Sequence, residues 1–217
     1  MFETIFAATL LFSIYKYCIA GDVPAADIPL FVANKAIAWT GTIMIAACLT
    51  IGPLKRLGFE RAKKWMRLRK NISLVGAGAI FVHVLITMII LNAAYYPKLF
   101  DTKSLKLTGL AQASLLAAAL ATLILALLAL TSVNPIRRSM GMGLWKSVHG
   151  YGLVLLGLTL AHLAFLGWPS WSAPAKWPAL WLPPITLLAA LPIGLALGLR
   201  ILAGFELTRR ERAAETS

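Results

Sequence analysis

Acidic residues are scarce in this 217-residue sequence, which has eight of them against 21 lysines and arginines. All eight fall in predicted loops or at predicted helix ends, so the interior of the apolar segments contains no carboxylate. Proton-coupled and cation-coupled carriers usually need a buried acid, and hydrolysis by a carboxylate pair needs two. The sequence therefore argues against both classes. The acidic residues are Glu3, Asp22, Asp27, Glu60, Asp101, Glu206, Glu211 and Glu215.

Residues that bind metals strongly are also rare. The two cysteines, Cys18 and Cys48, lie in apolar segments and indicate neither a disulfide framework nor a zinc site. The C-x-x-C-H signature of covalently attached haem is absent. The only histidines are His83, His149 and His162, and all three also fall in apolar segments. The strongly coordinating side chains within the membrane are therefore these imidazoles.

Hydrophobic residues, in contrast, make up 59% of the chain, and the mean hydropathy is +0.79. This composition excludes an ordinary soluble domain. Six apolar runs approach or exceed the ~20 residues with which a helix crosses ~30 Å of hydrocarbon. We therefore predict an all-α, polytopic membrane protein in which residues 1–217 form one domain of six transmembrane helices. The runs are residues 2–19, 33–54, 73–95, 107–133, 147–167 and 179–203.

The first apolar run resembles a signal peptide in length and is interrupted by Lys16. Its N-terminus has Glu3 and no basic residue, however, and no clear small-x-small cleavage site follows it. We predict that this helix is not cleaved and that Lys16 snorkels outward.

The formal net charge of +13 follows the predicted topology. Basic residues concentrate in alternate loops and in the C-terminal tail, which the positive-inside rule places on the cytoplasmic side of a bacterial inner membrane, together with the N-terminus. This distribution predicts contact with anionic lipid and no nucleic-acid partner. The basic clusters are residues 55–70, then 137, 138 and 146, and then 200, 209, 210 and 212, and the outward segments are 21–32, 96–106 and 168–178.

His83 and His162 lie at one predicted depth. Counted at ~1.5 Å per residue, they are about 20 Å beyond Lys70 and about 24 Å beyond Lys146. Two neutral imidazoles that face each other from neighbouring helices can bind a haem iron from both sides, whereas zinc would need further ligands that this region lacks. We predict one b-type haem with His83 and His162 as its iron ligands.

Two small residues precede His83 on its own helix face, Ala79 one turn before it and Gly76 two turns before it. They would leave space for a flat macrocycle or, equally, allow close helix packing. Both interpretations remain open from the sequence.

His149 lies only about 5 Å beyond Lys146, and roughly 20 Å and about 140° from His162 on an ideal helix. These two histidines therefore cannot bind the same iron. A second haem at His149 would need a partner at the position of Arg69, and arginine is no ordinary axial ligand. The sequence leaves open whether His149 is a second-site ligand or contacts, near Arg69, a quinone, a flavin such as FMN, or a haem propionate.

Five segments of the sequence occur in a characteristic order, namely NKAIAWTG at 34–41, LTIGPLKR at 49–56, RLRKNISLVGAGAIFVH at 67–83, LALTS at 128–132 and LWKSVHGYGLVLLGLTLAH at 144–162. Together they resemble the ferric reductase-like transmembrane domain, and the resemblance covers about residues 33–167. That superfamily includes the haem-binding membrane subunit of the bacterial methionine sulfoxide reductase system, the metalloreductases and the NADPH oxidases.

The resemblance implies specific roles for the histidines. In the oxidases two histidines on the third helix face two on the fifth and bind two stacked b haems. By position, His83 and His162 match the outer pair and His149 matches the inner member of the fifth helix. Arg69 or Lys70 stands where the oxidases have the inner histidine of the third helix. In this respect the sequence is more similar to the shorter bacterial members of the superfamily.

The resemblance also implies redox partners. The chain shows no FAD or NADPH domain and no glycine-rich phosphate loop, so we expect an external donor, either membrane quinol or a separate flavoprotein. We expect the acceptor to be a partner protein or a small molecule on the outer face. Two alternatives from other classes are a transporter whose histidines relay protons and an assembly subunit whose histidines form only interhelical hydrogen bonds.

Overall fold

The computed structural model describes residues 1–177 and 182–215 and shows, within them, a helical bundle without β-strands. Six segments are long and apolar enough to cross a membrane, which confirms the predicted all-α, polytopic architecture. The helices are α1 (Phe2–Ile14), α2 (Ala33–Arg56), α3 (Glu60–Trp65), α4 (Arg69–Ile90), α5 (Gly109–Leu130), α6 (Asn134–Ser139), α7 (Met142–Gly150), α8 (Gly152–Trp171) and α9 (Ile185–Glu215), and π-helical turns extend α1 (Tyr15–Ile19) and precede α2 (Ile28–Val32).

The third transmembrane helix, α4, is displaced toward the basic loop relative to its predicted span. It begins earlier, at Arg69, because arginine and lysine are good helix formers even outside the apolar run. It also ends earlier, at Ile90. The side chain of Asn92 accepts hydrogen bonds from the backbone N–H groups of Ala94 and Tyr95 at 3.0 and 3.2 Å, and this turn competes with the helix.

The fifth predicted segment consists of two helices. α7 ends at Gly150 and α8 begins at Gly152, with the break at Tyr151. Glycine on both sides of the tyrosine lowers helix propensity at this point. His149 lies on α7 and His162 on α8, within one membrane-spanning segment, Met142–Trp171.

The last transmembrane helix is longer than predicted. Its expected start at residue 179 lies outside the described residues. At the other end α9 continues beyond residue 203 to Glu215, because the alanine, glutamate and arginine residues of this stretch favour a helix in water as well.

The core of the bundle lies around α2 and α8. α2 contacts α1, α4 and α9, whereas α8 packs against α5 and α9. Leu156 on one side of α8 packs with residues of α2 and α9, and Leu155 on the other side belongs to a cluster with residues of α4 and α5. α4 and α8 themselves have few direct contacts. The two helices that contain His83 and His162 thus pack mainly against other helices.

Close packing of α2 on α4 depends on glycine. A Cβ atom at Gly76 would lie 3.0 Å from Met44 Cβ and 3.3 Å from the backbone oxygen of Gly41. Ala79 is buried as well. Of the two interpretations of these small residues, the structure supports helix packing at Gly76, because α2 already fills the space beside it.

Lys16 does not extend freely to the surface, as snorkelling would imply. Its Nζ atom donates hydrogen bonds to the backbone oxygens of Leu182 and Pro183 at 2.9 and 2.8 Å. The first hydrogen bonds of α9 go instead to the backbone oxygen of Pro184. Lys16 therefore links the end of α1 to the start of α9.

We call the two ends of the bundle the basic end and the opposite end. The basic end contains the start of α4 and the α5–α7 connection, where Lys70 Nζ donates to Asn134 Oδ1 at 2.6 Å. The opposite end contains the start of α2 and the loop after α4, where Asn34 contacts Tyr96. Apolar side chains between the ends face outward, for example Met88, which is 73% exposed. This surface is suited to lipid.

Candidate functional site

His83 lies on α4 toward the opposite end, and its ring is half-buried. Its Nδ1 atom is 2.9 Å from Oδ1 of Asn34, a fully buried residue of α2. Because an amide oxygen can only accept, the ring nitrogen donates. Asn34 Nδ2 in turn donates to Thr87 Oγ1 at 2.9 Å. Neutral His83 therefore has its proton on Nδ1 and a lone pair on Nε2.

His162 lies on α8 and is oriented by the fully buried Ser114 of α5. Its Nδ1 atom is 3.1 Å from the backbone oxygen of Ser114 and 2.8 Å from Ser114 Oγ. The serine hydroxyl also donates to the backbone oxygen of His162 at 3.1 Å. Since a carbonyl oxygen can only accept, Nδ1 donates, and the lone pair of neutral His162 is on Nε2 as well.

The structure brings His83 and His162 near each other. They are close enough for a charge on His162 to act on His83. In the part of the chain that the structure describes, neither Nε2 atom has a hydrogen-bond partner. The same residues contain no group of three or more His, Cys, Asp or Glu side chains that could hold a metal ion, so the pair is unsuited to zinc. Two neutral imidazoles with Nδ1 fixed and Nε2 free are suited to a group that needs two axial ligands.

His149 is held differently. It lies on α7 at the basic end, and its Nε2 atom is 3.3 Å from Thr131 Oγ1. That hydroxyl already donates to the backbone oxygen of Leu127 at 2.8 Å, so it accepts from the ring. The ring also stacks on Trp145 with 4.2 Å between centroids. In His149, Nε2 is thus hydrogen-bonded, whereas in His83 and His162 it has no partner among the described residues.

A cavity of about 240 Å³ lies beside His149 and is lined by residues of α2, α4, α5 and α8 as well. Arg69 and Lys70 of α4 line it, together with Arg137, whose guanidinium lies 5.2 Å from the centroid of the Trp145 ring. Trp145 Nε1 is buried and has no hydrogen-bond partner among the described residues. The lining residues provide several donors and no carboxylate, so the cavity is suited to a planar group with acceptor atoms.

Tyr96 completes the polar environment of His83. Its hydroxyl lies 3.5 Å from Asn34 Nδ2, and Thr87 Oγ1 lies 3.4 Å from His83 Nδ1. Burial raises the pKa of Tyr96, so its hydroxyl remains protonated at neutral pH. The hydrogen-bonding groups beside His83 are therefore uncharged.

Sequence reasoning identified the histidines and Arg69 but not the residues that orient them. Asn34, Ser114 and Thr131 are polar residues in or next to apolar runs, and this was the only signal that could have found them. Asn34 is also the first residue of a segment that supported the family resemblance. Its role depends on a contact with a helix that follows much later in the chain.

The fold and the paired imidazoles together define a multi-pass membrane protein with a histidine site between its helices. The family model described as ferric reductase like transmembrane component matches residues 35–160. The chain therefore belongs to this family, as the resemblance predicted. A comparison with curated proteins finds no match.

Proposed function

We propose that this protein is a b-haem electron-transfer subunit of the membrane, with His83 and His162 as the two iron ligands. The observation that supports this most strongly is the shared tautomer of the two rings. Each Nδ1 donates to a fixed acceptor on a neighbouring helix, and each Nε2 is left with a lone pair. Metal-binding histidines typically show this arrangement, because the outer hydrogen bond fixes the ring and raises its basicity.

The surroundings of the pair also fit a haem. The two rings are half-buried, and the helices that bear them have few direct contacts with each other. A bound haem supplies one-electron redox chemistry, while the protein provides ligation, orientation and a low dielectric. Asn34 and Ser114 would orient the ligands in this arrangement.

We infer that electrons arrive from the basic end. The positive-inside rule assigns this end, and with it both termini, to the cytoplasmic side of a bacterial inner membrane. The cavity beside His149 and Arg69 is suited to the ring of a membrane quinol or of a flavin such as FMN. The donor is then quinol or a separate flavoprotein, and one haem suffices, because His149 Nε2 is already engaged by Thr131.

We infer that electrons leave at the opposite end, which is the outer face in this topology. The acceptor would be a partner protein or a small molecule on that side, as in a ferric reductase-like or methionine sulfoxide reductase-like system. Membrane lipid is the other expected partner, and the position of the basic residues gives no reason to expect nucleic acid.

One alternative has a specific observation in its favour. The contacts His83–Asn34 and His162–Ser114 join different helices, so they would also stabilise an assembly subunit without any redox group. That alternative leaves the free Nε2 atoms unexplained. A proton-relaying transporter would need acidic partners, and in the described residues no carboxylate bonds to His83 or His162 or lines the cavity beside His149.

Oriented vesicles test the direction of electron flow. We expect quinol, or NAD(P)H with a flavoprotein reductase, to reduce the haem. A membrane-impermeant oxidant should reoxidise it only from the opposite-end face, because the His83–His162 pair lies nearer that face. Vesicles in which the protein has the reversed orientation serve as the control. In them the oxidant should act only from the other side of the vesicle membrane. Reoxidation from the basic-end face alone would contradict outward delivery.

The residues that orient the ligands give a further prediction. Asn34→Leu and Ser114→Ala should weaken haem binding by about 10–100-fold, the usual effect of removing such partners. Ser114→Ala should lie at the lower end of this range, because the backbone oxygen of Ser114 still accepts from His162. Titration of haem into the apoprotein, followed by absorption, measures both affinities.

Thr122→Val is a matched control for these two variants. Thr122 lies on α5 and its hydroxyl bonds only the backbone oxygen of Ala118 in the same helix. We expect its affinity for haem to equal that of the unmodified protein. Unchanged affinity in Asn34→Leu would show that Asn34 does not support the ligand.

A further inference from the structure

Lys35 is a cation inside the second transmembrane segment, surrounded by aromatic rings. Its Nζ atom lies 4.2 Å from the ring centroid of Phe31 and 5.1 Å from those of Tyr17 and Tyr96. No carboxylate lies within ion-pair distance of it in the described residues. Three ring faces, and no opposite charge, therefore hold this ammonium.

A positive charge at this position is costly for a membrane protein. Lysines within transmembrane segments are rare and usually have a functional role. Attraction to the faces of aromatic rings offsets part of the cost of removing the ammonium from water. Tyr17, Phe31 and Tyr96 come from three separate segments of the chain, so the fold itself assembles the surroundings of this charge.

The charge lies beside the His83 site. Lys35 follows Asn34 directly on α2, and Asn34 Oδ1 accepts the Nδ1 proton of His83. Tyr96 contacts both Lys35 and Asn34. The ammonium is also close enough to His83 for its charge to act on that ring. The hydrogen-bonding groups between them are uncharged and cannot cancel the field.

We propose that Lys35 tunes the redox potential of the site, because its ammonium stabilises the reduced state of the group that His83 and His162 bind. This inference rests on the proposed function. Uptake of one electron from the donor lowers the charge of the site by one, and a nearby fixed cation favours that state, more strongly in a low dielectric than in water. No bond forms or breaks at Lys35. The charge thereby raises the reduction potential of the site, which favours electron transfer from the basic end toward the opposite end.

The test is a redox titration of purified, haem-loaded variants. Lys35→Met removes the charge and keeps most of the side-chain length, and we expect its reduction equilibrium to shift at least tenfold toward the oxidised state, which equals a fall of about 59 mV for one electron. Lys35→Arg keeps the charge and should restore most of the potential. Lys103→Met removes an exposed lysine at the same end and should leave the potential nearly unchanged, because water screens that charge.

Haem content, measured on the same samples, distinguishes tuning of the potential from anchoring of the cofactor. A Lys35→Met variant with full haem and an unchanged potential overturns the proposal. Loss of haem without a shift in the remaining fraction also overturns it, because Lys35 would then only anchor the cofactor, for example through a propionate. If Lys35→Met does not accumulate, Lys35→Gln replaces it. Failure of both variants to fold would overturn the proposal as well, because Lys35 would then serve stability alone. Absence of haem from the unmodified protein would overturn the proposed function together with this inference.

Discussion

Replacing either His83 or His162 with alanine is expected to remove most of the haem from the purified protein, lowering its content about tenfold or more. In the proposed site each ring would supply one of the two nitrogens that bind the iron, and each ring is already hydrogen-bonded to a buried partner on another helix. Loss of one ligand would leave the iron with a single imidazole and so weaken haem binding. Haem extraction and the height of the Soret band, both relative to protein, measure the loss.

Glutamine at either position provides a comparison that keeps a polar side chain but not an imidazole. We expect His83→Gln and His162→Gln to lose haem as the alanine variants do, which would separate ligation from hydrogen bonding. Full haem occupancy in both alanine variants would show that neither residue is a ligand.

Replacing His149 with alanine is expected to leave one low-spin haem in place and to slow its reduction by the donor on the order of tenfold, as loss of a substrate-positioning contact commonly does. The His149 ring lines the cavity at the basic end, beside Arg69, and stacks on Trp145. It is therefore placed to position the ring of a quinol or flavin rather than to bind the iron. Stopped-flow measurement of Soret-band changes after mixing with quinol gives the rate.

The hydrogen-bond partner of His149 provides the matched control. Thr131→Val removes the contact with His149 Nε2 but keeps the imidazole and its stacking on Trp145. We expect the rate of reduction of this variant to lie between those of the unmodified protein and His149→Ala, because the ring stays in the cavity but loses the partner that orients it. Complete loss of haem in His149→Ala would instead identify His149 as a ligand of the single haem.

The positions of the transmembrane helices could be predicted because their signal is local. A run of about 20 apolar residues is sufficient to indicate a membrane helix. The equal depth of His83 and His162 followed from counting residues along two such helices. Helix ends were less predictable, because the end of α4 depends on a turn formed by the side chain of Asn92.

The partners of the histidines could not be predicted from local patterns. Asn34 and His83 are separated by 49 residues in sequence, and Ser114 and His162 by 48. Which residues meet across such distances depends on how the helices pack, and a single sequence does not reveal that. The surroundings of Lys35 are a similar case, because three segments contribute one ring each.

Binding of one b haem by His83 and His162 together is the proposal on which the others depend. It is tested by the optical and electron paramagnetic resonance spectra of the unmodified protein, purified from cells supplied with haem. We predict a Soret band, haem released without covalent attachment, and a low-spin, six-coordinate ferric signal typical of two imidazole ligands. A protein without a Soret band, or one with a high-spin, five-coordinate haem, would rule this assignment out.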